Sequence, residues 1–164
     1  MMPQPSPLPG EHSRGRHEGR QSQLRSKLGD SENRLCQLVA SYELDPETIN
    51  YDSLDTVTEV IKRIYGVLRK DAEARNGVLV QMPEIWDSLR EGYQQVFAAT
   101  SKLRPILKRF KDLERESRPA PAELDEATGR MVDRRQEWLA KVAEFQQGFS
   151  AFYEELASAE GRSA

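Results

Sequence analysis

Beyond position 20, apolar residues recur in alternating steps of three and four, the spacing that keeps side chains on one side of an α-helix. Four such segments follow one another. The first, over 21–43, carries Leu24, Leu28, Ser31, Leu35, Leu38 and Tyr42, with Ser31 the one polar member of its seam. It ends before Asp45-Pro46, because proline disfavours helical geometry in the residue before it and Asp45 can cap the turn that follows. The second, over 53–76, opens at Asp52 or Ser53 as cap and runs along Leu54, Val57, Ile61, Ile64 and Leu68. Val60, Tyr65 and Val67 flank that seam, which implies more than one neighbouring helix. Asn76-Gly77 provides the stop. A hairpin reading of that pair, with Val78, Leu79 and Val80 as second strand, fails because no alternating strand precedes it.

The third segment, over 83–116, starts at Pro83, which suits a first helical turn, with Glu84 complementing the helix dipole. Its seam is Met82, Trp86, Leu89, Tyr93, Val96, Thr100, Leu103, Leu107, Phe110 and Glu114. Pro105 lies inside it, and the lost backbone donor predicts a kink or break between Ser101 and Pro105. Pro119 and Pro121 then mark a reversal. The last segment, over 122–159, follows Leu124, Thr128, Met131, Arg135, Trp138, Val142, Phe145, Phe149, Phe152 and Leu156. Short connections make sequential antiparallel pairing the default. The predicted fold is therefore all-α: an elongated antiparallel helical bundle or coiled coil of about four helices over 21–160. Residues 1–20, with four prolines and three glycines, are expected to form a disordered basic tail.

Composition sharpens this picture. A chain of 164 residues has no room for separate cofactor and substrate domains, and 31% charged against 37% hydrophobic residues suits long two-faced helices. The net charge of −3 gives no polyanion-binding signature to the chain as a whole, although residues 11–27 alone sum to +3. One cysteine, Cys36, precludes an internal disulfide and points to a reducing compartment. No apolar run approaches the roughly 20 residues of a membrane span, and the first residues lack the apolar stretch of a secretion signal. The expected location is cytoplasmic, with the nucleus as the alternative, and the protein is expected to be soluble and not secreted.

The chemistry of enzymes is thin in this sequence. Both histidines, His12 and His17, fall in the tail, so the helical part has no imidazole for a nucleophilic triad or a histidine-bearing metal site. Cys36, between Leu35 and Leu38, reads as a buried thiol. The glycines form neither a dinucleotide fingerprint nor a phosphate loop, and the paired carboxylates read as solvated helical faces. The expectation is no catalytic residue, no cofactor, no metal and no small-molecule substrate.

Two surfaces remain as candidates. Lys102, Arg104, Lys108, Lys111 and Arg115 form the densest basic stretch and could bind an anion, although Asp112, Glu114 and Glu116 are interleaved with it. Trp138, Phe145, Phe149, Phe152 and Leu156 form an aromatic spine that is either core or a partner-docking patch. Arg135 and Thr100 are polar intrusions that could fix helix register. The function these features predict is a non-enzymatic helical scaffold or adaptor subunit of a multi-protein complex. Cytoskeletal, vesicle-tethering, chromosome-segregation and autophagy assemblies use such subunits, in hetero- or homo-oligomers with other helical chains. Two alternatives stand beside it: a membrane-surface or nucleic-acid adaptor using the tail and the Lys102–Arg115 stretch, and a four-helix regulator that binds a peptide in an interhelical groove.

Overall fold

The structure, a computed structural model, describes the backbone of residues 9–116 and 120–163 and the side chains of 19–116 and 120–159. Four helices account for nearly all of it: α1 (Pro9–Leu44), α2 (Tyr51–Glu73), α3 (Pro83–Arg115) and α4 (Pro121–Ser163). Single 3-10 turns, Pro46–Thr48 and Leu79–Gln81, sit in the first two connections, and no strand occurs among the described residues. The expected all-α bundle is what forms. At 1.5 Å per residue the 43 residues of α4 extend about 65 Å.

Cross-helix contacts fix the topology. Tyr42 meets Trp138 at 6.4 Å between ring centroids, while Arg25 lies 5.5 Å from the Tyr153 ring, so α1 and α4 run antiparallel. Asp55 pairs with Arg104 and Tyr65 stacks on Tyr93, which makes α2 and α3 antiparallel as well. Consecutive helices pack on one another, and α1 closes the ring against α4; the α2–α3 contact is the thinnest of the four.

Helix ends follow local chemistry, with shifts from expectation. Asn50, not Asp52 or Ser53, caps α2: its Oδ1 accepts from the Ser53 backbone N–H at 3.0 Å, and Ser53 itself is buried. Asp45 caps the Pro46–Thr48 turn by accepting from the Glu47 N–H at 3.2 Å. Helix α1 begins at Pro9, twelve positions ahead of the expected start, so the backbone of 9–20 is helical. From Pro9 to Pro46 no proline removes a backbone donor, and Pro9 supplies the preset φ of a first helical position. Residues 1–8 of the expected tail, and the side chains of His12 and His17, lie outside the described ones. Helix α3 runs unbroken through Pro105, so the predicted break does not occur; the ring is exposed, while Leu103 and Leu107 on the opposite flank are buried and hold the helix to its neighbours.

The core is built from the seams. Leu54, Val57, Ile61, Ile64 and Leu68 of α2 are all buried, and from Met131 to Leu156 every seam position of α4 is buried. The end of the α3 seam slips by one residue, since Leu113 is buried and Glu114 is exposed. A straight helix turns 3.6 residues per turn and drifts about 20° per heptad from a strict 3.5 repeat, which accounts for the slip.

The two polar intrusions behave differently. Thr100 accepts a hydrogen bond from the Trp138 indole N–H at 2.9 Å and donates to the Val96 carbonyl at 2.9 Å, so both polar groups are satisfied. Arg135 is 8% exposed; its Nε is buried without a partner, and an N–H of its guanidinium donates to Met131 Sδ at 3.2 Å. Burial lowers its affinity for the proton, and Glu47 and Asp45 on the first connection oppose that shift. A buried charge with incomplete partners costs more solvation than it recovers. Arg135→Leu is therefore expected to raise stability by about 1–2 kcal/mol, read as a higher urea midpoint with unchanged slope. A drop in the midpoint would show that Glu47 and Asp45 outweigh the desolvation.

Cys36 is half-buried, not sealed in the core. Its thiol donates to Glu32 Oε1 at 3.1 Å and accepts from Gln146 Nε2 at 3.2 Å, while Ser150 Oγ donates to the same Glu32 oxygen at 3.2 Å. This polar set joins α1 to α4 beside the apolar seam and discriminates against a slipped register.

Candidate docking face on the second and third helices

On an α-helix successive residues turn 100°, so Trp86, Tyr93, Phe97, Arg104, Lys108, Lys111 and Arg115 fall within about 60° of one another along α3. That flank borders α2. Its first half is aromatic and its second half basic, over about 44 Å of helix.

In the aromatic half, Tyr65 of α2 lies face to face with Tyr93, centroids 3.9 Å apart and planes 4° from parallel. Trp86 stacks on the other side of the contact at 5.6 Å from Tyr65, and Phe97 extends the row at 6.5 Å from Tyr93. Phe97 is 53% exposed, and Tyr65, Trp86 and Tyr93 are each only half-buried. Burial, then the neighbouring Tyr65, raises the Tyr93 phenol above its ordinary pKa. The other large exposed apolar residues among those described, Leu44 and Val80, stand at the last position of α1 and in the connection between α2 and α3. Only here do several aromatics form one open row among the described residues.

In the basic half, an open groove of about 570 Å³ is bounded by Tyr51, Arg104, Pro105, Lys108, Lys111, Asp112 and Arg115. The Lys111 ammonium sits 4.4 Å from the centre of the Tyr51 ring, a cation–π contact that fixes the head group at the groove wall. Burial and then Asp112 raise the Tyr51 phenol, so it stays neutral. Arg104 reaches across to Asp55 at 2.9 Å and ties the groove to α2.

The candidate residues thus separate. Arg104, Lys108, Lys111 and Arg115 come together at the groove, whereas Lys102 points away and lies 3.8 Å from Glu137 of α4. The Glu137 carboxyl is held below its usual pKa, first by the hydrogen bond from Arg134 and further by Lys102. The docking reading of the aromatic spine is overturned. Trp138, Phe145, Phe149, Phe152 and Leu156 are at most 2% exposed and are enclosed in the bundle, where α4 packs on α1 and α3, so no patch is left at its end. Trp86 and Tyr93 of the α3 seam pack against the core and also stack on Tyr65 of α2. Phe97 escaped the seam analysis because it lies off the seam. Extending the angular spacing of the four basic residues backwards along α3 would have reached it.

A second open groove, of about 550 Å³, lies between α1 and the end of α2, lined by Arg20, Lys27, Lys70 and Asp71 among others. Asp71 is engaged in capping the next turn, and Arg20 donates to the Asn76 carbonyl. No cluster of three or more metal-ligating side chains occurs among the described residues, and no helix among them is long and apolar enough to cross a membrane. Comparison of the chain with protein-family models, curated proteins and solved structures finds no match.

Proposed function

We propose that this chain is a non-enzymatic four-helix adaptor, a subunit of a larger assembly in the cytoplasm or nucleus, that holds a segment of a partner protein along the α2–α3 flank. The observation that carries this reading is Phe97, an exposed aromatic beside the α3 seam that continues the half-buried row of Tyr65, Trp86 and Tyr93. An exposed aromatic at the end of a half-buried aromatic row offers a partner a place to bury apolar area, and Trp and Tyr dominate the energetics of protein interfaces. Of the three sequence-based readings, the groove-binding regulator gains most. Association through the seams loses the surface it required, because the α4 spine is internal.

The test uses Phe97, whose exposure makes it dispensable for folding. Phe97→Asp is expected to leave helicity and the thermal midpoint unchanged while the tagged chain loses its stoichiometric companion on purification from its native cells. A photo-crosslinking residue at 97 is expected to label that companion, and one at exposed Gln147 on α4 is not. Retention of the same companion by Phe97→Asp removes this flank from the interface and the reading with it.

A further inference from the structure

The adaptor reading leaves the chemistry of the partner open, and the basic half of the same flank restricts it. Arg104, Lys108 and Arg115 project at intervals of four and seven residues, a single file about 16 Å long. Among the described residues, neither Lys108 nor Arg115 has an ion-pair partner, and both line the groove. The exposed Pro105 ring and the Tyr51 ring line the same groove, so the recess is largely apolar and edged by these cations and by Asp112. Phe97 lies seven residues before Arg104 on the same flank of α3.

Resting on that adaptor reading, we infer that the groove takes an acidic amphipathic helix of a partner protein, its carboxylates set against Lys108 and Arg115 and its apolar edge running over Pro105 towards Phe97. A row of cations at helical intervals beside an apolar trough is the complement of a helix with carboxylates beside an apolar stripe. Nucleic acid and anionic bilayers fit less well. The Tyr51 face that could stack a base already carries the Lys111 ammonium. Exposed Asp112, Glu114 and Glu116 flank the row, and a chain of net charge −3 repels any broad polyanion that meets more than this one strip.

The measurement is fluorescence anisotropy of the full chain with a labelled synthetic helix bearing glutamates at i, i+4, i+7 and i+11 beside a leucine stripe. Parallel arms use the same peptide with glutamines, phosphatidylserine-containing vesicles and single-stranded oligodeoxythymidylate. The expected result is saturable binding of the glutamate peptide that weakens about tenfold or more in Lys108→Glu/Arg115→Glu, weakens with salt, and is absent with glutamines. Both substituted positions are exposed, and helicity by circular dichroism checks that the double variant remains folded. Tighter binding to vesicles or to the oligonucleotide than to the peptide overturns the inference, as does peptide binding that the double reversal leaves intact. Either result leaves the Phe97 test standing, so failure of the acidic-helix inference and failure of the adaptor reading are told apart.

Discussion

Trp138→Ala is expected to destabilise the protein by about 3–5 kcal/mol, enough to unfold a marginal bundle at room temperature. The indole is fully buried where α1, α3 and α4 meet: Tyr42 tilts against it from α1, and Thr100 of α3 accepts its N–H. Truncation removes the largest side chain of the core and leaves a cavity that three rigid helices cannot close. The polar half of the site can be measured separately. Thr100→Val deletes the acceptor and strands a buried N–H, at a cost of about 1–3 kcal/mol, whereas Thr100→Ser keeps the acceptor and should stay closer to the parent. Urea unfolding at two protein concentrations checks both. If Trp138 served an intermolecular contact instead, Trp138→Ala would spare the isolated chain and the wild-type transition would depend on concentration.

The second large effect is expected at the α2–α3 connection. A Cβ at Gly77 would lie 1.7 Å from the Asp71 carbonyl oxygen and 2.8 Å from its carbon, and both are backbone atoms that no rotamer change can move. The same turn is stapled by the Asp71 carboxylate, which accepts from the Val78 N–H at 3.1 Å and the Leu79 N–H at 2.7 Å. It also seats Val78 and Leu79 in the core. Gly77→Ala must therefore displace a turn whose contacts are all committed, with an expected loss of about 3 kcal/mol. Gly66 is the internal control. Added carbon there meets nothing within 4 Å, and it lies inside α2, so Gly66→Ala should stabilise by about 0.5–1 kcal/mol through backbone entropy alone. A Gly77→Ala chain within about 0.5 kcal/mol of the parent would mean that this turn relaxes freely.

The α2 seam shows why so much of the fold was legible. Leu54, Val57, Ile61, Ile64 and Leu68 repeat at three and four, and a helix can hide such a row only against other helices, so periodicity alone requires a bundle. Asp45, Pro83 and Pro121 marked a cap or a helix start because capping and proline effects are local. The docking face was only half legible. Arg104, Lys108, Lys111 and Arg115 stood out by charge, yet Lys102 belonged to the other side of α3, and only its approach to Glu137 separates it from them. Phe97 carried no seam signal, and its meaning depends on Tyr65, Trp86 and Tyr93 lying beside it.

Sequence by itself determined that the chain is four helices with apolar edges, because side-chain spacing and end chemistry act over one or two turns. Which aromatics those edges enclose and which they leave open was decided only by tertiary structure. Burial depends on what lies opposite: α4 is met by neighbours along its seam, whereas α2 and α3 meet so narrowly that the flank of α3 beside α2 is only partly covered.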